Sequence, residues 1–348
     1  MTTPTSPSPY RPRSTRGHVR RNQRTMPNWF VFAIGIVGLA ALFLLLRSLV
    51  TPLFDDEEGG TSNSNRAWLS DNWTNQAPTR PQVEALVTRL QDNKIDMVYV
   101  QTGAWRQDGQ YRAWDYADDF RLLMRDIAPD IKVLDWITVD GQRNQYAADN
   151  HTMLVNYARQ TINEWRYDGV HLQGFSVFDG NENFVRLLRA FDELLGDDRT
   201  LSVTGPPDFI PSDPAVPPGL GNPSISWDPR YKQQIALIVD EIVIMAHASG
   251  LTTPEEYEQW MAYQIETYSK DISRVEVETN LIVAFPNYPS VPLHDPTVEN
   301  LTTAIIAAKQ GIKNAGGAGN RVVGGGIYIY NEASEQDWLT FKKEWVDR

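Results

Sequence analysis

YDGVHLQGFSVFDG, residues 167–180, alternates over its first half with the two-residue period of a β-strand. Val170, Leu172 and Gly174 fall on one side, and His171, Gln173 and Phe175 on the other. If the first set packs against helices, the second faces an interior and its mouth. Outward from this stretch one phrase repeats, a short apolar run followed by an amphipathic helix. The strand runs are AWLS (67–70), DMVYV (96–100), KVLDWI (132–137), DGVHLQGF (168–175), TLSVT (200–204), EIVIM (241–245), LIVAF (281–285) and GGIYIY (325–330). Between them the 3.6-residue rhythm predicts helices over 81–91, 116–127, 152–165, 181–195, 254–268, 296–314 and 334–345. A weaker helix is expected near 229–238, after the Pro-rich loop 205–223.

Strands that alternate with helices demand parallel pairing and right-handed crossovers. Eight such units in one domain's length of chain predict an α/β fold, a closed (β/α)8 TIM barrel over residues 67–348. GGAGNRVVGGG (316–326) precedes a strand instead of joining strand to helix, so it reads as a turn and not as a phosphate cradle. No cofactor is expected. The absence of cysteine excludes disulfides and thiolate catalysis. His171 and His247 are the only inward histidines and have no ligand spacing, so no metal is expected either.

The chain carries a net charge of −12, unevenly spread. Six arginines and no acid precede Trp29, which leaves −18 on the remainder. So acidic a body repels nucleic acid, and none is expected as a partner. Residues 29–46, WFVFAIGIVGLAALFLLL, hold 18 residues without a charge, and 28–50 reads as one N-terminal transmembrane helix ahead of the barrel. The arginines on one side, and Asp55, Asp56, Glu57 and Glu58 on the other, place the N-terminus in the cytoplasm. The expectation is a single-pass plasma-membrane protein that meets the lipid bilayer through 29–46. Its barrel is extracytoplasmic, its tail (1–27) basic and disordered, and its spacer (51–66) flexible, acidic and polar.

The order and spacing of these strands resemble glycoside hydrolase family 18, the chitinases and chitinase-like proteins. Their fourth strand reads DGxDxDxE, a frame that DGVHLQGF occupies here. NFVRLLRAFDELLGDDRTLSVTGPPD, DEIVIMAHASG, AFPNYP and GGIYIYNEASEQDW resemble the family's following helix and its fifth to eighth strands. The resemblance implies a carbohydrate-active barrel. It also implies a mechanism in which a strand-four Glu protonates the leaving oxygen while the substrate's own acetamido group attacks. The family's residues do not carry over. The acid's position is Phe175, the orienting Asp is Gln173, the inner Asp is His171, and the strand-six Tyr-Asp pair is His247-Ala248. A phenyl ring cannot donate a proton, so general-acid catalysis from 175 is ruled out.

What remains is binding, with other acids as possible replacements. His171, Gln173, Phe175, His247, Trp136, Tyr288, Tyr330 and Trp105 fall inward or at strand ends, where flat rings could stack on sugars and polar neighbours could hold hydroxyls. Glu332, Asp208 and Asp140 follow strands eight, five and three and are the candidate relocated carboxylates. The leading expectation is a membrane-anchored barrel that binds a cell-wall or extracellular glycan without the usual hydrolysis. The alternatives are an active glycosidase using relocated acids and a structural or protein-interaction barrel at the cell envelope.

Overall fold

The computed structural model of the protein describes residues 64–347. The chain enters through β1 (Asn65–Leu69), α1 (Arg80–Asp92) and β2 (Ile95–Val100). A hairpin of β3 (Gly103–Trp105) and β4 (Tyr111–Ala113) leads to α2 (Ala117–Ile127) and β5 (Lys132–Asp140). Then follow α3 (Ala148–Asn163), β6 (Gly169–Phe175), α4 (Glu182–Leu195), β7 (Thr200–Gly205), α5 (Pro229–Ala236) and β8 (Glu241–Ile244). α6 (Pro254–Ile272), β9 (Asn280–Pro286), α7 (Leu301–Ala315), β10 (Val322–Tyr328) and α8 (Glu335–Phe341) complete the ring. All eight expected barrel strands are present and parallel, in the order β1-β10-β9-β8-β7-β6-β5-β2, with β1 paired to both β2 and β10. The (β/α)8 barrel is therefore closed.

Helix starts follow local chemistry. Asn181 and Thr253 cap α4 and α6 by accepting from Phe184 N and Glu256 N. Asn300 and Ser334 form capping boxes on α7 and α8. The alternation in β6 is realised as read. Val170 and Leu172 join the core between strands and helices, and a side chain at Gly174 would collide with Val177. His171 and Gln173 point into the lumen, beside Trp68, Tyr99, Trp136 and Tyr328. Gly326 faces the same space, where an added Cβ would come within 2.6 Å of the Trp68 ring.

Two boundaries differ from the sequence reading. β1 begins at Asn65, so the last two residues of the expected spacer are strand, both buried. Charge made Arg66 look like a spacer residue, but Glu241 from across the barrel takes its guanidinium at 2.7 Å, and Trp345 donates to Asn65 at 2.9 Å. The loop after β2, where the sequence reading placed no strand, folds back on itself as the β3–β4 hairpin. Among the described residues no helix is long and apolar enough to cross a membrane. The run 29–46, the tail 1–27 and the spacer up to residue 63 lie outside them.

Candidate functional site

The floor of the lumen is a continuous polar chain. Glu241 accepts from Arg66 Nε and Nη2 at 3.1 and 2.7 Å, from Tyr99 OH, and from Ser202 Oγ at 2.8 Å. Ser202 Oγ lies 2.8 Å from His171 Nδ1, and Trp68 Nε1 donates to His171 Nε2 at 3.3 Å. These partners fix the tautomer: Nε2 accepts, so Nδ1 carries the proton and donates to Ser202. Burial, reinforced by the Arg66 charge, pushes the His171 imidazole down to about 3, so it is neutral. His171 stacks on Tyr99 with ring centroids 3.9 Å apart. Each of these side chains has its hydrogen-bond partners within the protein.

Higher in the lumen the character changes. Tyr328, on β10, lies between Trp68, Trp136, His247 and Tyr288, with ring centroids 5.3–6.2 Å away. Gln173 Nε2 donates to Tyr328 OH at 3.3 Å and to Met245 Sδ at 3.2 Å. Gln173 Oε1 and Trp136 Nε1 are both buried and have no hydrogen-bond partner. Flipping the amide would only move the orphan from Oε1 to Nε2, since Tyr328 OH can satisfy one of them. His247 Nε2 lies 3.1 Å from Ala284 O, so that nitrogen donates and Nδ1 is left as an acceptor. Burial holds the His247 imidazole near 4, hence neutral, and pushes the Tyr328 and Tyr288 phenols above their usual range.

The structure thus brings Gln173, Trp136, His247 and Tyr288 together around Tyr328. Phe175 stands above them at the end of β6, 44% exposed. His171 sits apart in the floor. Trp105 and Tyr330 are elsewhere. Trp105 pins the hairpin to β5, its Nε1 donating to Thr138 O at 2.8 Å. Tyr330 packs between Trp73 and Trp338 because β10 ends at Tyr328 and the chain turns outward. Tyr328 is the site residue the sequence reading passed over. The two-residue period running from Gly326 was the signal for it, and Tyr330 was chosen two steps too far along.

The three candidate acids do not share a partner. Asp140 aligns with Phe175 across the β5–β6 register, and its Oδ1 accepts from Gln142 N at 2.9 Å. Asp208 lies against α6, its backbone held by Gln264 and Trp260 and its carboxylate taking Ile210 N at 3.1 Å. Burial pushes Asp208 above the usual carboxylate range. Glu332 is exposed on the turn before α8. Among the described residues no group of three or more His, Asp or Glu could hold a metal ion.

No protein-family model and no curated protein matches the chain. Solved structures do. The spore cortex-lytic enzyme SleL of Bacillus megaterium QM B1551 matches with a TM-score of 0.55 and 13% identity, over 81% of this chain and 74% of that one. A chitinase from Chromobacterium violaceum ATCC 12472 matches with a TM-score of 0.52 and 13% identity, over 82% and 99%. The family-18 chitinase ChiB of Flavobacterium johnsoniae matches with 0.51 and 13%, over 80% and 91%. At such identities the likeness is one of fold: this chain shares the closed parallel barrel of these chitinase and chitinase-like structures.

Proposed function

We propose that the protein is a membrane-tethered, extracytoplasmic barrel that binds a glycan at its mouth and does not cleave it by the family-18 route. The observation that carries this is the upper lumen layer. By the resemblance in sequence, Phe175 and Gln173 take the positions of the family's acid and its orienting carboxylate. Beneath Phe175 the orphaned Trp136 Nε1 and Gln173 Oε1 lie among aromatic side chains. Aromatic faces and one unsatisfied donor–acceptor pair suit a sugar ring and its hydroxyl. Neither the Phe175 ring nor the Gln173 amide can act as the general acid. The test is a panel of chitin, peptidoglycan and common polysaccharides, scored for retention of the full-length protein and for released oligosaccharide. Retention without product is expected. Product that vanishes on Asp140→Asn would support a relocated acid, and neither retention nor product would abandon the glycan.

Tethering rests on the uncharged run 29–46 and the arginines before it. Because the chain has no cysteine, single thiols report its topology. Asn314→Cys should react with an impermeant maleimide on intact cells and Ser14→Cys should not; the reverse pattern, or labelling of both, would discard this topology.

A further inference from the structure

One half of the mouth rim has a surface that the glycan reading does not use. The loops following β6, β7, β8 and β9 are adjacent in the barrel, and together they expose Phe178, Ile210, Leu220, Val291 and Leu293, from 39% to 68%. The remaining large exposed apolar side chains among the described residues, Phe175 apart, belong to the outer ring: Leu122 on α2, Leu237 just after α5, and Ile306 with Leu339 along one groove beside α7 and α8. Isolated exposed leucines need no explanation, but apolar groups gathered on one face do.

The four loops are joined into one body. Trp227 Nε1 donates to Val177 O and Asp228 N to Asp179, tying the β6 and β7 loops at 3.0 and 2.8 Å. Leu220 N donates to Ser249 O at 2.6 Å, and Gly250 N to Leu293 O at 2.8 Å. Buried Glu299 takes Ala248 N, Ser249 N and Ser249 Oγ at 2.5–2.8 Å, with His294 Nδ1 at 2.9 Å on its other side. Eleven of the chain's 22 prolines lie in 205–228 and 286–300. A surface already this ordered loses little conformational freedom when something settles on it.

Its charge selects the occupant. Residues 175–181, 205–228, 245–253 and 286–300 contain no lysine or arginine, whereas Asp179, Asp213, Asp228 and Asp295 are exposed there. The opposite rim, formed by the loops after β2 and β5, carries Arg106, Arg112 and Arg143. We infer that the β6–β9 rim is a docking surface for a protein partner that presents aliphatic side chains together with lysine or arginine. Anionic lipid is repelled by the same aspartates. A second copy of the chain would set two cation-free acidic rims face to face.

The test uses the full-length protein in a neutral detergent that contains no sugar. Immobilised probes are short peptides that alternate leucine or valine with lysine or arginine, matched peptides with glutamate in place of the cations, and vesicles of anionic or neutral lipid. The basic aliphatic peptides should be bound, more weakly as salt rises. Leu220→Glu and Leu293→Glu should each lower that affinity by about tenfold or more. Both side chains are exposed, so the variants should keep the wild-type unfolding midpoint. Equal binding of the acidic peptides, unchanged affinity in the variants, binding to vesicles alone, or a dimer that Leu220→Glu dissociates would each overturn the proposal. Glycan retention is read on the same variants. Its loss in wild type alongside intact peptide binding sinks the glycan reading alone, and the converse sinks this one alone.

Discussion

At the floor of the lumen, Arg66, Glu241, Ser202, His171 and Trp68 satisfy one another completely, while higher in the same lumen Gln173 and Trp136 each keep a buried polar atom without a partner. Both layers are buried, both are built from inward-facing residues of the barrel strands, and β6 contributes to each. A buried polar group gains little from its hydrogen bond compared with what it costs when left alone. The saturated floor therefore helps to hold the barrel shut, whereas the unsaturated layer above it is the one on which the proposed glycan site rests.

The largest expected effect lies in the floor. Arg66→Met leaves Glu241 buried without its cation and should cost about 3–5 kcal/mol in urea unfolding. The double variant Arg66→Met/Glu241→Met removes both charges and should lose clearly less than the sum of the two single changes. Additivity in that cycle would mean that the two side chains are not coupled and that the floor is not one network.

The second effect is pH dependence, and it separates the layers. His171 and His247 are held neutral at about 3 and about 4, below their ordinary 6.5. A depressed imidazole gives stability that is present above pH 6.5 and is lost as pH falls, because the unfolded chain takes up the proton first. Each should cost roughly 1.4 kcal/mol per pH unit across its window, which closes near pH 4 for the mouth histidine and near pH 3 for the floor one. Asp135, buried behind β5 and raised to about 7, acts in the opposite direction between its ordinary 3.8 and 7. Asp135→Asn should therefore steepen the acid loss, and His247→Gln in that background should remove the share that ends near pH 4. An acid limb unchanged by His247→Gln would show that this imidazole titrates normally.

The sequence reached the layers unequally, for physical reasons. Pleating has a period of two and is local, so the inward placement of His171 and Gln173 could be read from β6 alone. The Arg66–Glu241 pair joins residues 175 positions apart, and nothing local marks it. An arginine beside an acidic spacer reads as solvated until its partner is seen across the barrel. Tyr328 was missed because periodicity does not say where a strand stops. Asp208 and Glu332 belong to loops, whose direction alternation does not set, and Asp140 is the last residue of β5, where the strand gives way to a turn.

In the upper layer smaller effects are expected, and they separate stability from binding. Gln173→Met removes a buried acceptor that has no donor but also takes the Tyr328 hydroxyl's partner away, so the two changes offset and stability should hold within about 1 kcal/mol. Glycan retention should fall about tenfold, a loss of about 1.4 kcal/mol. Stability lost together with binding would mean that Gln173 belongs to the architecture, like the floor residues.

Phe175→Glu carries the smallest expected effect. The position is 44% exposed, so stability should stay within about 0.5 kcal/mol. The change restores a carboxyl at the strand-four acid position but leaves Gln173 below it, which cannot ionise to orient an acetamido group. His171 stays committed to Ser202 and Trp68, and His247-Ala248 stays where the resemblance expects a tyrosine and an aspartate. A general acid acts only in a site that also positions the nucleophile. No chitin oligosaccharide should be released by this variant in an assay that detects single turnovers. Release at a measurable rate would show that the upper layer still assembles a reacting geometry around a missing proton donor, and the contrast between a closed floor and a ligand-holding mouth would become one between a closed floor and a catalytic site lacking a single residue.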